Sequence, residues 1–179
     1  MPRLFFFTDP IRTPDPGSVI ARLPRGAAVV FRAFGATDAC AVGLRLRRVA
    51  RSRGVLFFVG ADAALAVALD ADGLHWPERL AARCGMNRAL RPRFLITAAA
   101  HSLPGAIRGR CAGADALVIS PVFPSRSPSA GLAMGPLRFS RLVRMAGAPV
   151  IALGGVTSAN AGRLRLAGAA GLAAIDGLL

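Results

Sequence analysis

Eight short apolar runs, rich in Val, Ile, Leu and Phe, recur along the whole chain and constrain its fold more than any other feature. Most of the runs are continuously apolar rather than alternating, as strands buried on both faces of a parallel sheet are. They cover residues 4–8, 27–34, 55–60, 73–76, 94–100, 116–123, 149–156 and 171–177. The sequence therefore predicts eight β-strands in one parallel sheet.

Segments rich in Ala, Leu and Arg separate these runs and have the composition of helices. They cover residues 38–53, 62–69, 78–90, 103–112, 137–146 and 158–166. Four of them begin at candidate N-caps, which are Asp38, Asp62, Ser102 and Ser158. Four end near a glycine, at Gly54, Gly113, Gly147 and Gly168. Residues 10–24 are predicted to be rich in loops.

Strict alternation of eight strands with helices is typical of a (β/α)8 TIM barrel, an α/β fold. A doubly wound open sheet is the other fold that this alternation allows. The 179 residues suit one domain, residues 1–179, although such a barrel is short and little sequence follows the eighth run. We therefore predict a short (β/α)8 barrel that lacks the final helix.

A missing helix would leave the outer face of the eighth strand uncovered near Leu172, Ile175 and Leu178. We expect this surface to be covered either by a second copy of the chain, in a homo-oligomer, or by the segment 10–24. The loop 124–136 is long and rich in Ser, Pro and Gly. It follows strand six, at the end of a barrel where active-site loops lie.

The charge of the chain is strongly positive, with 23 basic and nine acidic residues and a formal net charge of +14. Every basic residue is Arg, so Schiff-base chemistry and a P-loop lysine are excluded. Such a field attracts phosphorylated metabolites, nucleic acid or anionic lipid without choosing among them. One group of arginines is expected to form a solvated helix face rather than a nucleic-acid patch: Arg45, Arg47, Arg48, Arg51 and Arg53. Nucleic acid is not expected as a partner, because no aromatic platform accompanies the arginines.

Three cysteines, Cys40, Cys84 and Cys111, contain no CxxC pair and are expected to be reduced thiols in the core. No apolar run approaches the roughly 18 to 20 residues of a membrane helix, so no membrane association is expected. The first residues lack the features of a secretory signal. A cytoplasmic protein is therefore predicted.

Several short motifs carry a family resemblance through their order and spacing. They are LFFFTDP (4–10), LDADGLH (69–75), AAHS (99–102), GADALVISPVFPSRS (113–127), VIALGGVTSANA (150–161) and AGAAGLAAIDGLL (167–179). Each is similar to the motif at the same place in the thiamine phosphate synthase family, which shares its barrel with the thiazole tautomerases. The resemblance extends over nearly the full length of the chain.

This resemblance implies a reaction and a metal. Members of the family join an aminopyrimidine diphosphate to a thiazole phosphate and release pyrophosphate, with magnesium neutralising the leaving diphosphate. The two magnesium-binding aspartates of the family correspond to Ala61 and Leu80. Apolar side chains cannot coordinate a hard cation. We therefore expect no metal or cofactor here, and magnesium-dependent synthase activity that is very weak or absent.

Further positions that are polar or charged in the family are altered as well: Val30, Phe34, Gly60, Ala99, Pro121 and Asp176. Pro121 replaces the base of the tautomerases, and Asp176 replaces a serine that contacts phosphate. Asp176 is either a new polar contact or a change that excludes phosphate. The candidate phosphate- and substrate-binding residues are Arg32, Ser125, Arg126, Ser127, Gly154, Gly155 and Ile175. No catalytic residue is assigned.

Three functions follow from these observations. The leading one is a thiamine phosphate synthase-like protein of thiamine biosynthesis with lost or altered activity, which binds a phosphorylated small molecule. The alternative is a non-catalytic barrel that binds a phosphorylated metabolite or has a regulatory role. The third is an arginine-driven binder of nucleic acid or an anionic surface. His75, His101 and Asp72 are expected to have structural roles.

Overall fold

The computed structural model describes residues 1–86, 91–125, 127 and 131–176. Eight parallel strands close into a barrel in chain order, so that β8 pairs with β1. The strands are β1 Leu4–Phe7, β2 Ala28–Phe31, β3 Leu56–Gly60, β4 Gly73–Trp76, β5 Leu95–Ala100, β6 Ala116–Ile119, β7 Val150–Ala152 and β8 Gly171–Ala174. The predicted (β/α)8 barrel is confirmed.

Helices on the outside of the barrel connect the strands. They are α1 Pro16–Arg22, α2 Ala39–Arg53, α3 Ala63–Ala68, α4 Leu103–Cys111, α5 Gly135–Ala146 and α6 Ser158–Leu166, with a 3-10 helix at Glu78–Arg83 after β4. The Asp62 carboxylate accepts a hydrogen bond from Leu65 N, and the Ser102 hydroxyl accepts one from Gly105 N. Both residues therefore cap the helices that follow them. None of the helices in the described ranges is both long and apolar enough to cross a membrane.

Two local predictions are wrong. Residues 10–24, predicted to be rich in loops, contain α1, because Asp15 caps this helix by accepting a hydrogen bond from Ser18 N and Pro16 supplies its first turn. The N-cap of α6 is Thr157 rather than Ser158, because Thr157 forms a capping box with Asn160. The predicted helix 78–90 begins at Glu78 as expected, although as a 3-10 helix, and its residues 87–90 lie outside the described residues.

Two apolar layers stabilise the barrel. The inner layer lies inside the ring of strands and includes Phe5, Phe7 and Phe58. Gly73 makes room there for Phe58, since a Cβ at this position would lie 2.5 Å from Phe58 Cε1. The outer layer lies between strands and helices and includes Trp76 and Phe139. Apolar residues on both strand faces explain why the sequence runs are continuous.

Several burial predictions need correction. Leu172 is 6% exposed and belongs to the outer layer, so it does not border an uncovered patch, whereas Leu178 lies outside the described residues. Cys84 is buried as expected, but Cys40 and Cys111 are exposed and do not belong to the core. The sequence predicts Arg47 on the solvated face of α2, but this residue forms an ion pair with Asp72 at 3.2 Å.

The segment that precedes α1 reaches the end of β8, as one of the two predicted coverings requires. The Thr13 hydroxyl donates to the carbonyl of Ile175 at 3.2 Å, and Arg12 forms an ion pair with Asp176. The homo-oligomer and the absence of a final helix stay predictions.

Candidate ligand-binding site

The carboxyl ends of the strands open into one cavity of about 1080 Å³, which we call the mouth of the barrel. Its lining combines small apolar residues with a few polar groups, as ligand cavities do. The polar and chemically informative lining residues are Arg12, Arg32, Phe34, Gly60, Ala61, Asp62, His75, Arg79, His101, Ser120, Ser125, Ser127, Gly154, Gly155, Thr157, Ile175 and Asp176.

The mouth brings together every predicted phosphate- or substrate-binding residue that the structure describes. These residues are Arg32, Ser125, Ser127, Gly154, Gly155 and Ile175. The remaining one, Arg126, lies outside the described residues. The residues follow the ends of β2 and β8 or lie in the loops after β6 and β7, so closure of the barrel brings them to the same cavity.

Two glycines after β7 form a tight turn in the wall of the mouth. Gly154 and Gly155 have φ angles of +93° and +62°, which side-chain-bearing residues rarely adopt. A Cβ on Gly155 would collide with the carbonyl oxygen of Pro124 and lie 2.8 Å from Phe123 Cβ. The turn therefore packs its backbone directly against the loop after β6.

This turn leads into α6, and the helix holds it in place. The side-chain amide of Asn160 donates to the carbonyl of Gly155 at 2.8 Å, while its oxygen accepts from Thr157 N at 2.9 Å. Ser125 and Ser127 lie on the facing loop, with Ser127 N donating to Ser125 Oγ at 3.3 Å. We call the loops after β6 and β7 the glycine side of the mouth. Backbone amides and hydroxyls of this kind can hold an anion.

Arg32 extends from the end of β2 and is held by the β1 end. Its Nε donates to the carbonyl of Thr8 at 2.7 Å, and its Nη2 lies 3.3 Å from Asp9 Oδ2. The guanidinium also lies 4.9 Å from the ring centroid of Phe34. Burial lowers the pKa of Arg32, and the nearby Asp9 carboxylate partly opposes this shift. Arg32 therefore forms an ion pair within this chain, and anion binding by Arg32 stays a prediction.

Asp176 extends from the end of β8 and forms a two-point ion pair with Arg12. Arg12 Nη2 lies 2.6 Å from Asp176 Oδ1, and its Nε lies 3.2 Å from Oδ2. Both side chains line the mouth. Sequence reasoning identified Asp176 but missed Arg12, which lies in a segment without a recognised motif. Asp176 is therefore a polar contact to a cation of this chain.

His75 forms part of the floor of the mouth. Its Nδ1 lies 2.9 Å from the Thr97 hydroxyl, and its ring packs edge-on against Phe7 with centroids 5.0 Å apart. Burial lowers the pKa of His75 to about 3, and the positive charge of Arg32 acts in the same direction. The imidazole is therefore neutral at physiological pH. It can exchange a hydrogen bond but does not carry a positive charge.

His101 and Asp72 have the structural contacts that the sequence predicts. His101 Nδ1 lies 2.6 Å from the carbonyl oxygen of Ser120, and its backbone N–H donates to Glu78. Asp72 precedes β4 at the opposite end of the barrel and accepts a hydrogen bond from Phe57 N at 2.7 Å.

The positions that correspond to the family's magnesium ligands lie after β3 and β4, and we call this the strand-three side of the mouth. Ala61 lies in its wall next to Gly60, and Leu80 packs against the outer apolar layer. Arg79, also missed by sequence reasoning, lines the mouth one residue before Leu80. Neither Ala61 nor Leu80 has a side-chain oxygen that could bind a metal.

The carboxylates around the mouth already have other partners. Asp9 and Asp176 are paired with arginines, Asp62 caps α3, and Glu78 forms an ion pair with Arg108 at 2.8 Å. Among residues 1–86, 91–125, 127 and 131–176, no three His, Cys, Asp or Glu side chains cluster as metal ligands. A hard divalent cation needs several free oxygen ligands. The residues present do not fit magnesium.

Closed parallel topology and a partly polar cavity at the carboxyl ends of the strands define a (β/α)8 barrel with a candidate ligand site at its mouth. A family model described as thiamine monophosphate synthase matches residues 7–178. The chain belongs to this family.

Individual relatives agree. A thiamine-phosphate synthase of Geobacillus kaustophilus is 36% identical over 156 residues, which cover 82% of this chain and 66% of the relative. One from Pyrococcus furiosus is 30% identical over 181 residues, with 99% and 86% covered. A bifunctional thiamine biosynthesis protein of Geobacter sulfurreducens is 33% identical over 139 residues. The match spans only 28% of that protein.

The fold is also found in a solved structure. The thiamine phosphate pyrophosphorylase of Pyrococcus furiosus superposes with a TM-score of 0.79 at 27% identity, covering 97% of this chain and 85% of the other. The whole barrel therefore has a counterpart of known structure.

Proposed function

We propose that this protein acts in thiamine biosynthesis as a divergent member of its family: it binds a phosphorylated small molecule in the barrel mouth and has lost magnesium-dependent synthase activity. The observation that carries the proposal is the difference between the two sides of the mouth. The glycine side keeps a backbone arrangement suited to phosphate. The strand-three side has Ala61 and Leu80 at the positions that correspond to the family's magnesium-binding aspartates.

Backbone geometry supports phosphate binding on the glycine side. Gly155 and Val156 line the mouth, and their backbone N–H groups have no hydrogen-bond partner among the described residues. Ser125, Ser127 and Thr157 add hydroxyl groups to the same part of the cavity. Such amides at the start of a helix favour a phosphate group, because the helix dipole is positive there.

The donor set supports the loss of magnesium chemistry. Leaving diphosphate carries several negative charges that a metal or free cations must neutralise. Arg12 and Arg32 face the mouth, but each is already paired with a carboxylate, at 2.6 Å and 3.3 Å. Arg79 is the remaining arginine among the described residues that line the mouth, so the mouth supplies little positive charge for a diphosphate beyond this one side chain. We propose that no metal cofactor takes part in ligand binding.

The free cysteines support an assignment to the cytoplasm. Cys40, Cys84 and Cys111 are all unbridged, and two of them are exposed. Exposed thiols persist in a reducing compartment. We therefore propose that the protein is cytoplasmic. The cavity at the barrel mouth supports a phosphorylated small molecule as its partner.

A thermal-shift series tests the binding proposal. Thiazole phosphate, the aminopyrimidine diphosphate, thiamine phosphate and pyrophosphate are each added to the purified chain in EDTA. We expect at least one phosphate-bearing compound to raise the Tm, and a Ser125→Ala/Ser127→Ala double variant to reduce that rise.

Ser52→Ala is the matched control, since the one partner of the Ser52 hydroxyl among the described residues is the carbonyl of Val49 within α2. Its thermal shift should equal that of the wild type. A wild-type chain whose Tm is unchanged by all four compounds at millimolar concentration would rule the proposal out.

A further inference from the structure

The loop between β1 and α1 lies at one side of the mouth, and two ion pairs hold it there, Asp9 with Arg32 and Arg12 with Asp176. Asp9 accepts hydrogen bonds from the backbone N–H groups of Ile11 and Arg12, both at 3.1 Å, and contacts Arg32 through its second oxygen. Thr13 then bonds to the carbonyl of Ile175. This arrangement holds the Arg12 guanidinium over the end of β8, where it meets Asp176.

Asp176 and the glycine turn are neighbours. Ile151 pairs with Gly171 and Ala152 with Leu172, so β7 and β8 run side by side towards the mouth. Paired strands lie about 4.8 Å apart. The chain continues from β7 into Gly154 and Gly155, and from β8 into Ile175 and Asp176, and all four residues line the same cavity. A phosphate held by the turn would therefore lie close to the Asp176 carboxylate.

The ion pair sets the charge that such a phosphate meets. Asp176 is 28% and Arg12 19% exposed at the side chain, so solvent screens the pair only partly. With both oxygens of Asp176 engaged by Arg12, the pair is close to neutral as seen from the turn. A freed Arg12 would attract phosphate, and an unpaired Asp176 would repel it.

We propose that Asp176 is a specificity-determining residue: by neutralising Arg12 beside the glycine turn, it restricts the mouth to ligands that carry a single phosphate group rather than a diphosphate. This inference rests on the proposed function, because it concerns the same cavity. Asp176 acts as a positioning residue, since it works by holding Arg12. This role also explains why a carboxylate occupies the position at which the family resemblance implies a serine.

Isothermal titration with inorganic phosphate and pyrophosphate in EDTA tests the proposal on four proteins: wild type, Asp176→Asn, Arg12→Ala and the double variant. We expect the wild type to bind phosphate at least about tenfold more tightly than pyrophosphate, because the neutral pair leaves little positive charge for the second phosphate group. Asp176→Asn should bind phosphate about tenfold more tightly and pyrophosphate more tightly still, because it frees a cation. Arg12→Ala should bind both more weakly.

The double variant separates a charge effect from a merely structural one. Removing both members of a neutral pair should bring phosphate affinity back to within about threefold of the wild type. If the pair only tethers the loop, all three variants should shift in the same direction. Asp176→Ser replaces Asp176→Asn if the latter fails to fold.

Matched controls carry the same changes in net charge outside the mouth. Asp38→Asn removes an exposed carboxylate that makes no capping hydrogen bond, and Arg45→Ala removes an exposed arginine of α2. Both should bind phosphate as the wild type does.

The outcomes distinguish the two proposals. Wild-type binding that Asp176→Asn leaves unchanged or weakens would overturn the role of Asp176 and leave the proposed function standing. Binding by Asp176→Asn but not by the wild type would support the role of Asp176 and count against the proposed function. Failure of every variant to bind either anion would overturn both.

Discussion

The two sides of the barrel mouth differ in the groups at their candidate binding positions, which are backbone amides on one side and side chains on the other. On the glycine side, the groups that we propose to bind phosphate are the backbone amides of Gly155 and Val156, and the turn at Gly154 and Gly155 is packed against Pro121, Phe123 and Pro124. On the strand-three side, the corresponding positions depend on side chains, which here are Ala61 and Leu80.

This difference shows which parts of a site the fold itself protects. A side chain at position 155 would collide with the neighbouring loop, so packing alone requires glycine and keeps the amides in place. Nothing comparable fixes the side chains on the other side, and Leu80 gains burial against the outer apolar layer. A metal ligand can therefore be replaced without harm to the barrel, whereas the backbone turn cannot.

The largest effect concerns synthase activity. With the aminopyrimidine diphosphate and thiazole phosphate as substrates, the magnesium-dependent rate should be at least about a thousandfold below that of the Geobacillus kaustophilus relative, because the metal-binding side chains are missing. A coupled pyrophosphate-release assay on both proteins, with and without EDTA, measures this. A rate within tenfold of the relative that EDTA abolishes would contradict the account of the strand-three side.

Gly155→Ala tests the glycine side. The substitution introduces a Cβ at a φ of +62° and against the Pro124 carbonyl, and it should lower the free energy of unfolding by about 3 kcal/mol. Urea denaturation gives the value. Gly131→Ala is the control, because a Cβ there meets nothing within 4 Å. Equal stability of the two variants would show that packing does not require glycine at position 155.

His75 tests the floor that joins the two sides. The pKa of His75 is lowered to about 3 in the folded chain, whereas an unfolded histidine has a pKa of about 6.5. Between these values the unfolded chain binds more protons, so the free energy of unfolding decreases as the pH falls. The His75 contribution approaches about 1.4 kcal/mol per pH unit.

The measurement compares urea denaturation of wild type and His75→Asn between pH 6.5 and 4.5, with His101→Asn as the control for loss of an imidazole. Asn keeps a polar atom near the Thr97 hydroxyl, so the fold should persist. The variant should lose much of the wild-type slope. Identical slopes in wild type and His75→Asn would mean that His75 takes up a proton in the folded mouth.

Ala61→Gly gives the smallest effect and reverses the change made at Gly155. Ala61 has a φ of +62°, which is unfavourable for a residue with a Cβ. Glycine should relieve this strain and raise the free energy of unfolding by up to about 1 kcal/mol. A decrease of more than about 1 kcal/mol would show that the Ala61 side chain contributes packing on the strand-three side.

The fold could be predicted from the sequence because each strand is a continuous apolar run that stops near a glycine or a cap. The sequence places the ends of β2 and β7 too late, because Ala33, Phe34 and Val156 continue the apolar runs. In the structure these residues follow the strands and lie in the wall of the mouth. Helix α1 was missed because the segment's prolines suggest loop, although Pro16 begins the helix.

The site was predictable only where a motif carried it. Gly154 and Gly155 lie in a recognisable motif, and their place in the mouth follows from barrel closure. Arg12 and Arg79 belong to no quoted motif. Arg79 lies in the 3-10 helix after β4, whereas the approach of Arg12 to the mouth depends on loop conformation and on an ion pair with Asp176 across 164 residues of sequence. Local sequence patterns hold no information about such long-range pairs.

The proposed function requires that the glycine side binds phosphate without a metal. Isothermal titration of thiamine phosphate and thiazole phosphate into the wild-type chain, once in EDTA and once in millimolar magnesium, measures this binding. We expect at least one of these phosphates to bind with the same Kd in both buffers, to within about twofold. Binding that requires magnesium, with none in EDTA, would contradict it.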